Sequence, residues 1–432
     1  MWVYKLNTSL GKLPFLIFTI LIYIFIDIYT WYGMKSLFVT ERYIKIFNFT
    51  YWALTIFGLY AAWSVYQHQI THGSTRDELL NFYMGFVFAL FVSKLVFATT
   101  MILHDGGRMI FGLFHYLKSI FIHSEQLQFA SVLPARWKMW TTSATILAGI
   151  PFITLLYGVT KGKYQYSVEK LKLEFNHLPP SFDGLRVVQI SDIHAGSFDN
   201  IDKVRAGIEK INRLKPDLVL FTGDLVNAEK DEINPYISLF SEIEATYGKF
   251  AVLGNHDYYG TYSREKQSAT EAYWNDFFKK YEAMGFQLLN NTNQKIYIGN
   301  EYINIVGVEN WGGGKWFPKY GDLDKATVGV TSDDFNILMS HDPTHWDEKV
   351  LKHPVKMDIT LSGHTHGFQF GVNLPGIKWS PAMYRYPRWM GLYKEKESYL
   401  YVNRGFGFLG YPGRVGMLPE ITLIELHRSE PQ

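Results

Sequence analysis

The stretch LRVVQISDIH, residues 185–194, joins a run of apolar, β-branched side chains to an acid and an imidazole. Its first six residues, bounded by polar ones, read as a buried strand. The same change of texture recurs downstream. Leu218–Phe221 runs into Thr222-Gly223-Asp224, Phe250–Leu253 into Gly254-Asn255-His256-Asp257, Asn336–Ser340 into His341-Asp342, and Met357–Ser362 into Gly363-His364-Thr365-His366. Between the first two, Ile201–Leu214 places Val204, Ile208, Ile211 and Leu214 on one helical face, and Ala269–Met284 reads as another helix. Tyr302–Val308, Leu400–Asn403 and Ile421–Glu425 are further short strands. Strands alternating with helices predict an α/β layered domain over residues 161–432. In open α/β sheets the ligand crevice lies outside the carboxyl ends of the strands, so five polar loops are expected to converge on one site.

The residue types in those loops decide the chemistry. The chain has no cysteine, so any metal must sit on nitrogen and oxygen ligands. Asp192, His194, Asp224, Asn255, His341, His364 and His366 form an inventory of that kind, suited to hard or borderline ions such as Mn, Fe, Zn or Mg. Two such ions a few ångströms apart can clamp a phosphoryl group and activate a bridging water, which requires one carboxylate shared between them. His364 and His366 alternate along an extended segment and so point the same way.

Upstream the texture differs. Four apolar runs, Leu13–Tyr32, Phe47–Tyr66, Phe82–Leu103 and Trp140–Val159, are each about the twenty residues that a helix needs to cross a bilayer. Tyr and Trp gather at their edges, where amphipathic rings favour the headgroup zone. Residues 1–160 are therefore expected to form an α-helical transmembrane bundle of four spans, making this a multi-pass protein of the cell membrane. Asp27 and Lys94 interrupt two of the runs, and charges at that depth are expected to face partners, here each other. Basic residues flanking the runs divide evenly, so the positive-inside rule favours neither side for the C-terminal domain. A net charge of +2 gives no reason to expect a nucleic-acid partner. Oligomeric state leaves no signature.

With these residues in view, the chain resembles the calcineurin-like metallophosphoesterases. The resemblance runs from about Tyr164 to the C-terminus and rests on Asp192-Ile193-His194, Gly223-Asp224, Gly254-Asn255-His256-Asp257, His341 and Gly363-His364-Thr365-His366. Arg404-Gly405 and Pro419-Glu420-Ile421 make it similar to a membrane-associated bacterial branch. The resemblance implies a two-sheet β-sandwich flanked by helices. It implies one ion on Asp192, His194, Asp224 and His366, and a second on Asp224, Asn255, His341 and His364, with a bridging hydroxide as nucleophile. His256 would be the acid at the leaving oxygen, oriented by Asp257. Two departures bear on pocket shape: Asn227 stands where many members carry a second Asp, and Phe368 where this branch often has Gly. The expected activity is metal-dependent phosphoester hydrolysis on a membrane-lipid-linked phosphoester or pyrophosphate. Soluble phosphodiesters or nucleotides are the alternative substrates, and a non-catalytic membrane sensor or scaffold is the alternative of another class.

Overall fold

The computed structural model describes residues 13–72, 76–121, 134, 136–258, 271–314 and 319–429. Two compact units emerge: residues 1–67 with 83–156, and residues 68–82 with 157–432.

The first unit is helical. Its helices belong to α1 (Leu13–Lys35), α2 (Glu41–His72), α3 (Glu78–Phe121) and α4 (Lys138–Thr160). Among the described residues, two of these, α3 and α4, are long and apolar enough to cross a membrane. The third run was expected to end near Leu103, yet α3 continues to Phe121. The charges that end the apolar run do not end the helix, because they satisfy one another. Asp105 accepts from Arg108 (2.8 Å), from Tyr29 (2.8 Å) and from Arg136. Asp27 and Lys94 do meet, as the sequence reading anticipated. Their buried pair is completed by Tyr51, whose hydroxyl donates to Asp27 Oδ1 at 2.7 Å, and by Thr55, whose Oγ1 accepts from Lys94 at 2.8 Å. One charge network thus ties α1, α2 and α3. The helices approach closely where side chains are small: a Cβ at Gly33 would lie 2.7 Å from the Phe97 ring.

The second unit is a sandwich of two six-stranded mixed sheets. The first sheet has the order β1 (Ser167–Phe175), β14 (Glu420–Arg428), β2 (Leu185–Ile190), β3 (Leu218–Phe221), β4 (Lys249–Ala251) and β5 (Gln287–Leu288). The second runs β12 (Gly391–Glu395), β13 (Ser398–Val402), β9 (Ile359–Ser362), β8 (Asn336–Met339), β7 (Glu301–Gly307) and β6 (Thr292–Ile298). Val187, Leu218 and Leu220 of one sheet pack against Ile305, Ile337 and Leu361 of the other. The outer face of the first sheet is covered by α5 (Ile201–Arg213), through Val204, Ile208 and Ile211, and by α6 (Glu271–Ala283), through Phe277 and Tyr281. Ala269 and Thr270, read from sequence as the start of α6, lie outside the described residues. Strands β2, β3 and β4 are parallel neighbours, as are β8 and β9. That arrangement brings the polar loops together.

Residues 68–82, which include the end of α2 and the start of α3, group with the sandwich. Asn81 donates to Asp199 at 2.7 Å and to the Ser197 carbonyl at 3.2 Å. Lys163 pairs with the same Asp199 carboxylate, and Tyr164 donates to it at 2.8 Å. Asp199 lies five residues beyond His194, so the start of α3 braces the loop after β2 from outside.

Candidate metal centre

Each strand end delivers a candidate ligand because the backbone there abandons the sheet sharply. Asp192, His194, Asp224, His364 and His366 all have φ between 48° and 70°, the left-handed region that non-glycine residues avoid. Five strained residues at one site are what an over-determined functional cluster looks like. Neighbouring glycines make the crowding possible: a side chain at Gly363 would strike Ser191 and Asp192, and one at Gly254 would strike Asp224. The loops then hold each other. Asp192 donates its N–H to the Gly223 carbonyl (2.9 Å), His194 to Asp224 (3.1 Å) and Gly363 to His341 (2.9 Å).

Two triads of ligand atoms result, Asp192–His194–His366 and Asp224–His341–His364, the atoms of each lying within 4.8 Å of one another. His366 Nε2 is 3.1 Å from Asp192 and 3.0 Å from His194 Nε2. In the second triad, His341 Nε2 lies 3.2 Å from Asp224 Oδ2, 3.2 Å from Asn255 Oδ1 and 3.3 Å from His364 Nδ1. The same Asp224 oxygen is 3.5 Å from His194 Nε2, so it stands between the triads. The structure thus brings all seven sequence-derived ligand candidates together.

The donor set fits divalent ions on hydrogen-bond logic. His341 Nδ1 is 2.8 Å from the Thr222 carbonyl and must be its proton-bearing nitrogen. A neutral ring then turns a lone pair at Nε2 toward Asp224 and Asn255. His364 Nε2 faces the Tyr386 hydroxyl at 3.0 Å and Asp342 at 3.5 Å, leaving Nδ1 as its inward lone pair. Nε2 of a neutral His341 ring, Asp224 and Asn255 converge on one place that calls for a positive charge. Burial disfavours an imidazolium at His341, yet the Asp224 carboxylate outweighs it and holds the ring up to about 10, so a proton on Nε2 fills that place when no ion does. At His194 burial prevails and pushes the ring well below its usual value.

His256 is half-buried, with its ring centroid 4.9 Å from that of His194. Its Nδ1 lies 2.7 Å from the Asn227 carbonyl, and its backbone N–H donates to Asp224 Oδ1 at 2.8 Å. Asp257 was expected to orient it. The Asp257 carboxylate instead accepts the backbone N–H groups of Leu225 (2.8 Å), Gly254 (2.8 Å) and Asp224 (3.1 Å). Burial, and then the Asp224 charge, push that carboxyl up to about 7. Positioning of His256 thus falls to the Asn227 carbonyl, and Asp257 serves the loops. Phe368, the other departure, adopts φ 52° and is half exposed, so an aromatic occupies a backbone conformation suited to glycine.

Sequence reasoning missed three supports. Tyr386 and Arg414, the latter with Nη2 3.1 Å from His366 Nδ1, come from 22 and 48 residues beyond the ligands they touch and carry no local signal. Asp342 was visible beside His341 but had no assigned role. His345, four residues beyond His341, is buried and hydrogen-bonded to Ser340 at 2.9 Å.

These features define the class: the chain belongs to the calcineurin-like phosphoesterase family. Residues 185–368 match the family model "Calcineurin-like phosphoesterase" and residues 13–163 match "Probable Calcineurin-like phosphoesterase, transmembrane domain". Similar proteins include "Transmembrane protein with metallophosphoesterase domain" from Danio rerio, 29% identical over 66% of this chain and 63% of that one. Its Bos taurus namesake is 28% identical over 61% and 57%. "Uncharacterized metallophosphoesterase YkuE" of Bacillus subtilis is 30% identical over 56% of this chain and 81% of its own. The chain spans less than two thirds of the two vertebrate relatives.

Proposed function

We propose that this protein is a membrane-anchored hydrolase of phosphoesters that works with two divalent ions. Residues 1–160 would be the anchor, each of the four helices crossing the bilayer, and residues 161–432 the catalytic domain. Asp192, His194, Asp224 and His366 would hold one ion, and Asp224, Asn255, His341 and His364 the other. The observation that carries this is the single Asp224 oxygen standing between two sets of inward lone pairs. When bound, the ions supply charge neutralisation of a phosphoryl group and activation of water. His256 supplies the proton. With Nδ1–H committed to the Asn227 carbonyl, the transferable proton of the imidazolium sits at Nε2. His256→Ala should lower turnover by roughly two to four orders of magnitude. Metal content should be retained, and the loss should be smaller for nitrophenyl than for alkyl esters. An equal loss on both would remove the acid role.

The segment after the last ligand favours a lipid-linked phosphoester or pyrophosphate as substrate. Leu374, Ile377, Met383 and Tyr384 are exposed there, with Lys378 and Arg385 among them, and Tyr386 of the same segment touches His364. Trp389 and Met390 instead pack with Ala382 and Met417, so only part of the segment is free to meet lipid. Apolar and basic groups together suit an anionic interface. The test compares the full-length protein on short-chain and long-chain forms of one phospholipid-type substrate, with and without micelles. Selectivity for the long chain is expected, and indifference to chain length and micelles favours soluble phosphodiesters or nucleotides. The whole chain is required, because residues 68–82 and Lys163 belong to the sandwich unit.

A further inference from the structure

We infer that the helical unit carries a second, non-catalytic site, which binds the phosphate of an anionic lipid headgroup or a soluble phosphate through Lys35, Arg108 and Arg136. These side chains, with Tyr32 and Ile44, line a pocket of about 620 Å³ formed by the end of α1, the start of α2 and the far part of α3. Three cations meet there, and one carboxylate answers them. Asp105 takes Arg108 and Arg136 together. Lys35 has no acidic partner among the described residues and lies 4.8 Å from the Trp31 ring, while Glu41, six residues on, is taken by Lys45 at 2.7 Å. Two positive charges are left over.

Arg136 is held ready rather than free to wander. Its guanidinium sits 5.5 Å from the Tyr29 ring and 5.3 Å from the Tyr32 ring, and two of its nitrogens are fixed by Asp105. The planar guanidinium fork of an arginine held in this way suits phosphate oxygens as acceptors. Depth agrees with a headgroup. Arg108 comes after the apolar run Phe82–Leu103, at about 1.5 Å of rise per residue, and so emerges at the edge of the hydrocarbon core if α3 crosses the bilayer. Basic pockets between helix ends are where anionic lipid phosphates bind. The inference rests on that spanning reading and not on the metal centre.

The test uses the full-length protein in phosphatidylcholine nanodiscs containing a minor fraction of phosphatidylglycerol. Bound lipid is counted by native mass spectrometry, with inorganic phosphate as competitor. Preferential retention of phosphatidylglycerol is expected, weakened roughly fivefold by each of Lys35→Gln and Arg108→Gln. Hydrolysis of a water-soluble ester should be unchanged in both variants. Retention that resists phosphate identifies the lipid as ligand, and displacement by millimolar phosphate identifies a soluble anion at the same site. No preference for phosphatidylglycerol together with no phosphate binding, or variants that behave as wild type, would overturn the inference. Extraction of the protein by alkaline carbonate would remove the spanning premise separately and leave phosphate binding as the deciding arm.

Discussion

Two buried groups of charged side chains, one in each unit, are built on opposite principles. Around Lys94 in the helical unit, one base meets one acid, and Tyr51 and Thr55 complete the set. One positive charge meets one negative charge, so the pair is neutral as a unit and calls for no ion from outside. Around Asp224 in the sandwich, four imidazoles and two carboxylates crowd together, with lone pairs turned inward and backbones in left-handed conformations. That set is open. A buried ionisable group is therefore no evidence of function by itself; the surplus of one kind of group is.

The largest expected effect breaks the closed set. Asp27→Ala should destabilise the helical unit by about 3–5 kcal/mol, because it strands a buried ammonium. Asp27→Leu combined with Lys94→Met should come back close to wild type, since an apolar pair of similar volume replaces two charges. Thermal unfolding in detergent measures both, and a double variant as unstable as the single one would mean that the pair does more than close on itself.

A second effect sharpens the contrast inside the sandwich. His345 is a buried imidazole near the candidate ligands, but it is satisfied by Ser340 and packs at a tilt against Trp311, ring centroids 5.0 Å apart. Burial lowers its folded value to about 4, against 6.5 when free. The unfolded chain takes up the proton first, so this residue costs no stability above about 6.5 and progressively more as the pH falls towards 4, up to on the order of 3 kcal/mol. His345→Gln should flatten that part of the stability profile, and an unchanged slope would place the titration elsewhere.

The smallest effect lies just outside the open set. Tyr386→Phe removes the partner of His364 Nε2 and leaves Asp342 at 3.5 Å. Loss of such a support typically costs about 10–100-fold in metal affinity or activity. A chelator titration of the variant should show the weaker binding, recovered at high metal. Activity lost at every metal concentration would give Tyr386 a different role.

The candidate ligands and their sheet positions were legible because each of them follows an apolar strand directly, so local pattern and global fold agree. Strand β1 was not, since Glu169, Lys170, Lys172 and Glu174 mask its alternation on an outer strand of the sheet. The partners of the ligands were hidden for another reason. Tyr386, Arg414 and the Asn227 carbonyl reach the site only through tertiary packing, and a backbone carbonyl has no letter in a sequence. The pairing of Asp27 with Lys94 could be anticipated, because charges at membrane depth have few alternatives. The burial of His345 could not, because its short helix reads as polar.

The contrast between the closed and open sets reduces to whether the sandwich holds ions, and elemental analysis of the purified full-length protein decides it. Wild type should carry two divalent ions per chain after reconstitution. Asp224→Asn should lose both, together with hydrolysis of a nitrophenyl phosphodiester, while Asn255→Ala should lose one and leave the fold intact by circular dichroism. Full metal content and full rate in either variant would contradict the account, as would a wild-type chain that takes up no metal.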